Sequence, residues 1–209
     1  QRITYTLADD TMGGDLEAFI TSDAMERVLS GSHSSLDQLV QKAGRADFTP
    51  ILLDVAVTLE ATMRETKIRT HNLVAKLPGN RPGAGAVLLS AHWDHFGMCG
   101  KAPEDDLICN GAIDNASGVA VLTEVARKLA KGPQIDRDVY FLATTAEELG
   151  LLGAYAFAQN PPLPLKKIVA AFNIDSVAIN PQGTPFAIVG RGATALDTDI
   201  EKVAKAERF

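Results

Sequence analysis

Between Ala86 and Ile174 short apolar runs alternate with amphipathic ones, and each apolar run leads into residues that bind metals or move protons. Ala86-Val87-Leu88-Leu89-Ser90 is unbroken and apolar, as a strand covered on both faces must be, and it runs into His92-Trp93-Asp94-His95. Val139-Tyr140-Phe141-Leu142-Ala143 runs into Glu147-Glu148, and the Ile168 to Ile174 run into Asp175. From Ala116 to Leu129, Val119, Leu122, Val125, Ala126 and Leu129 recur at helical spacing ahead of Gly132, and Leu149 to Gln159 reads as a further helix stopped by Pro161-Pro162. This alternation predicts an α/β three-layer sandwich around a mixed, mostly parallel central sheet. Ligands of such sheets bind beyond the carboxyl ends of the strands. One edge of the sheet should therefore collect an imidazole and several carboxylates, joined by Asp114 from the segment before the first helix.

The rest of the chain is consistent with a folded globular protein. Of its 209 residues 46% are hydrophobic and 22% charged, enough to build a core without disulfide staples. The 20 Lys and Arg against 26 Asp and Glu leave a net charge of −6 with no basic stripe. That argues against nucleic acid or an anionic membrane as a partner, and no apolar stretch is long enough for a membrane span.

Residues 1–50 read as an N-terminal helical segment and 51–209 as the site-bearing domain. Ser22 or Asp23 can cap a turn carrying Met25, Val28 and Leu29, with Gly31 as its stop. Ser35 and Gln38 form a capping-box pattern ahead of Leu39, Val40 and Ala43, ended by Gly44. Alternation over Thr58 to Met63 and over Asn72 to Leu77 predicts antiparallel strands, and the Pro78 to Gly85 segment a loop. Asp199 to Phe209 reads as a closing helix.

The polar residues at the strand ends suit zinc, which takes imidazole nitrogen and carboxylate oxygen together. One carboxylate can bridge two ions, as two-metal hydrolysis requires. Glu147 and Glu148 can divide the work, one binding metal and the other holding a proton. Asp94, two positions beyond His92, can orient its imidazole. A histidine or an acidic pair by itself is commonplace in soluble proteins; joint placement at the strand ends is the informative feature.

The segments Ala91-His92-Trp93-Asp94-His95-Phe96-Gly97, Asn110 to Ala120 (with Gly-Ala-Ile-Asp-Asn-Ala-Ser-Gly inside it), Ala146-Glu147-Glu148-Leu149-Gly150-Leu151-Leu152-Gly153 and Asn173-Ile174-Asp175 resemble, in order and spacing, the M28 family of di-zinc aminopeptidases. The resemblance implies a zinc-exopeptidase fold and two zinc ions. His92 and Glu148 would bind one ion and Asp175 the other. Asp114 would bridge them, through a cis bond to Asn115 as in the family. Asp94 would orient His92, and Glu147 would be the general base for a bridging hydroxide that attacks the peptide carbonyl. The implied substrate is a peptide, cleaved at its N-terminus. An M28-type carboxypeptidase, or a non-catalytic binding domain on the same scaffold, is the alternative. The M20 group shares His-x-Asp and Glu-Glu pairs but not the block around Asp114, and a single-zinc glutaminyl cyclase would be expected to differ there.

The family pattern also includes a later histidine, whereas the four here are His33, His71, His92 and His95. The expectation is therefore of a fragment, cut at the C-terminus and also at the N-terminus, whose Asp114–Asp175 zinc lacks a donor. His95 is disfavoured as a substitute because its neighbours pack it against the His92 turn. The first fifty residues resemble the end of a protease-associated insertion. Trp93 reads as packing beneath the site, Glu104-Asp105-Asp106 as a solvated loop, and His33 and His71 as surface residues. Cys99 and Cys109 can pair in an oxidising compartment or remain separate thiols. Together with the family's habit, they suggest a periplasmic or extracellular location.

Overall fold

A computed structural model of the chain describes residues 18–60, 62, 64–177, 179–181, 184, 187–192 and 194–207. By its internal contacts the chain divides into two compact units, one of residues 9–67 and the other of residues 1–8 with 68–209.

The first unit holds α1 (Ser22–Leu29) and α2 (Leu36–Ala43). The cap of α1 is Thr21, one residue before the expected Ser22, and its side chain accepts from the amide of Ala24. Around α2 the Ser35–Gln38 capping box forms in both directions and Gly44 is the C-cap, as its sequence predicts. The strand expected over Thr58 to Met63 is absent among the described residues there, while Ala61 and Met63 lie outside them. Residues 58–60 are exposed, so the alternation has no buried face to serve.

The second unit is built on a four-stranded sheet of β1 (Leu73–Leu77), β2 (Ala86–His92), β5 (Asp138–Thr144) and β6 (Ile168–Asn173), in the order β1-β5-β2-β6. β2 runs parallel to both of its neighbours, and β1 lies antiparallel to β5. The connections are α3 (Ala116–Lys131) between β2 and β5, and α4 (Leu152–Gln159) between β5 and β6. A short pair, β3 (Gly97–Met98) with β4 (Ile108–Cys109), stands after β2, and its ends are joined by a Cys99–Cys109 disulfide. A last helix, α5 (Leu196–Ala206), occupies most of the span where the closing helix was expected; Arg208 and Phe209 lie outside the described residues.

Strand periodicity separates the two faces of the sheet. Ala91, Val139 and Phe141 pack with Leu122 of α3, flanked by Leu89, Val119, Val125 and Leu129. On the other face Ala86, Tyr140 and Leu142 pack with Phe157 of α4 and Leu163. Helices thus cover both faces in a three-layer α/β sandwich, as the alternation of runs predicts. α4 begins at Leu152 rather than Leu149, because the preceding turn passes through Gly150 (φ 105°) and Leu151 (φ 62°), outside the helical range.

The N-terminus of α3 is pressed against the end of β6. A Cβ on Gly118 would run into the side-chain oxygen of Asn115 and the carbonyl of Ile174, neither of which can swing away cheaply. Gly118→Ala should therefore destabilise the second unit by at least about 2 kcal/mol in chemical denaturation, the range of core overpacking, despite the better helix propensity of Ala. An unchanged or raised midpoint would show that this packing is slack.

Candidate active site

His92 is the last residue of β2, at the centre of the sheet's carboxyl edge, and its side chain is only 1% exposed. Its Nδ1 lies 3.1 Å from the main-chain carbonyl of Asp94. A carbonyl only accepts, so in the neutral ring Nδ1 carries the proton and Nε2 presents a lone pair to the site. Around that lone pair stand Asp114 Oδ1 at 2.8 Å, Asp175 Oδ2 at 3.6 Å and Glu147 Oε2 at 3.9 Å. His95 Nδ1 and Glu148 Oε1 form a second close pair beside them.

Neighbouring strands supply these groups. Asp175 follows β6 on one side of β2, and Glu147 and Glu148 follow β5 on the other. The turn after β5 is tightly wound, with amides of Gly150 and Leu151 both donating to the Glu147 carbonyl and Ala146 held at φ 53°. A non-glycine residue in that region costs of order 1–3 kcal/mol and persists only where its surroundings over-determine it. Those surroundings include Asp94, whose carboxylate accepts the amides of Glu147 at 3.1 Å and Glu148 at 3.4 Å. The expected orienting of His92 by Asp94 is therefore exerted through the Asp94 main chain. Its carboxylate, 3.7 Å from Nδ1 at best, is turned to the glutamate turn instead.

Asp114 and Asp175 are fixed to one another by Asn115. Its buried side chain donates Nδ2 to the Ile174 carbonyl at 2.9 Å, and its Oδ1 accepts from Gly118 at 2.9 Å and Ser176 at 3.2 Å. Asn115 caps α3 and clamps the Asp175 turn in the same contacts, and the Asp114–Asn115 peptide is cis, as expected. In the sequence Asn115 stands in the motif around Asp114 without a role of its own; an Asn directly before a helical stripe is the signal that marks a cap.

Among the described residues three groups of donors lie close enough to share an ion, with ligand atoms within 4.8 Å of one another: His92, Asp114 and Asp175; His92, Glu147 and Glu148; and His95, Asp114 and Glu148. His92 stands in two of these groups, one with the expected Glu148 and one with Asp114 and Asp175. The physical reason is strand order: β2 is flanked by both β5 and β6, so His92 reaches carboxylates on either side. His95, disfavoured by its sequence position, stands among these donors. Trp93 is 48% exposed and donates its indole N–H to the His71 carbonyl, so it is not packed beneath the site as expected. Glu104, Asp105 and Asp106 are exposed in a loop, and His33 and His71 are exposed.

His92 Nε2, His95 Nδ1, Asp114 Oδ1 and Glu148 Oε1 are buried without a hydrogen-bond partner among the described residues. Orphaned buried polar atoms are costly and rare, and four converging lone-pair donors are what a cation compensates. Nitrogen and carboxylate oxygen are also the donor types of zinc. The residues fit the group.

The chain belongs to peptidase family M28. The family's sequence model matches residues 72–208, which takes in every site residue above. Among curated proteins, aminopeptidase YwaD of Bacillus subtilis is 34% identical over 56% of this chain and 25% of its own length. The "probable lipoprotein aminopeptidase LpqL" of Mycobacterium tuberculosis is 28% identical over 84% of this chain and 31% of its own. The chain thus spans between a quarter and a third of these relatives. Among solved structures, BSAP, a zinc aminopeptidase from Bacillus subtilis, is 34% identical with a TM-score of 0.42, over 51% of this chain and 24% of that one. The peptidase M28 precursor of Shewanella amazonensis is 31% identical with a TM-score of 0.43, over 50% and 22%.

Charge at this M28 site sets a pH dependence. Burial disfavours the charged His92 imidazole, but the Asp94 carbonyl and the charges of Asp175, Glu147 and Asp114 outweigh it and hold its pKa above the ordinary 6.5. Burial raises the Glu147 carboxyl above 4.5; His92 opposes this, and Glu148, Asp175 and Asp94 add to it. In both cases the fold favours the protonated form. The stability gained from His92 is complete below 6.5 and is lost as pH rises through its raised value; for Glu147 the same holds from 4.5. The metal-free protein should therefore melt at a higher temperature near about pH 5.5 than near pH 8. Saturating zinc should reverse the slope, because the ligands must shed protons to bind it. Thermal melts across this range with and without zinc check both signs, and a metal-free melting temperature that rises with pH would contradict them.

Proposed function

We propose that this chain carries the reaction centre of a zinc-dependent exopeptidase that removes N-terminal residues from peptides, acting outside the cytoplasm. The observation that carries the reading is the convergence of unpartnered donors from the ends of β2 and β5 and from the α3 turn, with Asp175 from the end of β6 and the Glu147 carboxylate beside them. Membership of M28 and the aminopeptidase relatives support the peptidase class; the Cys99–Cys109 bridge supports an oxidising compartment.

His92, Asp114, Asp175 and Glu148 would hold the metal, in a count of two ions. Bound zinc supplies a Lewis acid that polarises the scissile carbonyl and makes water a better acid. The chain's own part begins at Glu147. Its carboxylate, with a pKa raised by burial, accepts the proton of the attacking water at Oε2 and returns it to the departing amine, which must be protonated to leave. In the neutral ring of His92 the Nδ1–H is engaged by the Asp94 carbonyl, which leaves Nε2 as the lone pair that faces the site. The Asp94 carboxylate holds the main chain of both glutamates, which fixes the base relative to the ligand next to it.

Glu147→Gln preserves the shape and removes the proton acceptor. With zinc supplied, kcat on an aminoacyl p-nitroanilide should fall about 10²- to 10⁴-fold while KM changes little. Peptides with a free N-terminus should be trimmed from that end, and N-acetylated ones should be spared. Release of C-terminal residues instead would identify a carboxypeptidase, and zinc-saturated protein that binds peptides without cutting them a non-catalytic domain. Either result overturns the aminopeptidase reading.

A further inference from the structure

We propose that Asn72 is a positioning residue: its side-chain amide closes the two ends of the turn that presents Glu147 and Glu148, and so sets where the base and its neighbouring ligand stand. What those glutamates do rests on the zinc-exopeptidase reading; how they are held rests on this chain's own hydrogen bonds.

Asn72 lies directly ahead of β1. Its Nδ2 donates to the Gly153 carbonyl at 2.7 Å, and its Oδ1 accepts from the Thr145 amide at 3.1 Å. Thr145 is the first residue after β5 and Gly153 the second of α4, so the chain between them is the turn that carries both glutamates. A carbonyl needs a donor and an amide needs an acceptor, and a carboxamide offers both in one plane. The space around it is filled. A Cβ on Gly153 would run into the Thr145 carbonyl and lie 2.7 Å from Asn72 Oδ1. The residues before Asn72 are laced to the same region. The Thr70 and Thr145 hydroxyls are 2.7 Å apart, and the His71 carbonyl accepts the Trp93 indole N–H at 3.2 Å. Residues 70–72 therefore bond to the turns that leave both β5 and β2.

The glutamate turn needs such a clasp. Ala146, Gly150 and Leu151 all have positive φ, at 53°, 105° and 62°. A chain keeps that path only while its surroundings over-determine it. Asp94 holds the middle of the turn by the amides of Glu147 and Glu148, and a turn held only at its middle can still pivot. Asn72 fixes the ends. Loss of its Nδ2 leaves the buried Gly153 carbonyl without that donor, and a misplacement of about 1 Å at a reacting group can cost about 100-fold in rate.

Amide hydrogen exchange of the metal-free protein, followed by NMR, with zinc affinity on the same samples, tests the assignment. The reporters are Gly150, Leu151 and Leu152, whose amides bond within the turn, with the amides of α3 as reference. Asn72→Asp keeps the size and the acceptor and removes the donor. The reporters should exchange about 10- to 100-fold faster in it, relative to α3, as expected for an unmet buried carbonyl. Leu163→Val, in the core beside Ala86 at the other end of β2, controls for lost stability and should leave that ratio unchanged. Zinc affinity should fall about 10- to 100-fold in Asn72→Asp, the range for a residue that orients a ligand, and hold in Leu163→Val. Should Asn72→Asp fail to fold, the unmutated protein decides: the Asn72 Nδ2 protons and the turn amides should exchange through one common opening across a denaturant series. Turn rates unchanged relative to α3, or Nδ2 protons that exchange independently of the turn, would overturn the proposal. A selectively loosened turn with zinc affinity unchanged, or with no zinc bound by either protein, supports the clasp and overturns the zinc reading instead.

Discussion

The site depends on the parallel register of β2 with its two neighbours. His92 stands opposite Thr144, so the chain leaving β5 reaches Glu147 and Glu148 just beyond it. Ser90 stands opposite Asn173, which brings Asp175 level with His92 on the other side. Backbone hydrogen bonds, spaced identically along a parallel ladder, therefore set which side chains meet. A slip of one residue in either pairing would turn His92 to the opposite face of the sheet and remove it from the carboxylates. The apolar packing of α3 and α4 on the two faces holds that register, so core and site are energetically one system.

That system tolerates an unfavourable cluster at its edge. Carboxylates and lone-pair nitrogens gathered without a cation repel one another, and burial adds a desolvation cost. The raised pKa values of His92 and Glu147 record this: in the absence of a metal, a proton is the available positive charge. What keeps the cluster assembled is a set of hydrogen bonds just outside it. Asn115 ties the Asp114 turn to the Asp175 turn, and Asp94 ties the His92 strand to the glutamate turn. Both clamps engage main-chain groups of the turns they hold, and the charge of the Asp94 carboxylate also reaches Glu147.

The parts legible in the sequence are those whose signal is local or strictly periodic. The Ser35 box, the α3 stripe and the buried runs of β2, β5 and β6 need no knowledge of distant residues. Thr58 to Met63 carries the same alternation as β1, but alternation becomes a strand only where a partner edge exists; β1 has β5 and residues 58–60 have none among the described residues. The start of α4 is hidden for a different reason. Leu149 continues the apolar pattern, yet the turn that presents Glu147 and Glu148 uses that segment first. Proximity in sequence places His95 against the His92 turn, and what sequence does not show is that the anchoring of Asp94 carries the chain onward to Glu148.

Asp94 shows most clearly how a motif can be read correctly and its physics misassigned. His-x-Asp spacing suggests a carboxylate gripping an imidazole, and the residue does fix the ring. The grip comes from a carbonyl any amino acid would carry, at 3.1 Å, while the carboxylate accepts two amides across the sheet. The division has a physical advantage. A carboxylate bonded to Nδ1 would draw the His92 proton toward itself and make the ring a stronger base, favouring protonation of the Nε2 needed by the metal. A neutral carbonyl fixes the tautomer with less of that bias, and it leaves the Asp94 charge free to hold the base and its neighbouring ligand by their backbone. The aspartate at this position is therefore required by the glutamate pair that follows β5, and the identity of one strand end is explained by the needs of another.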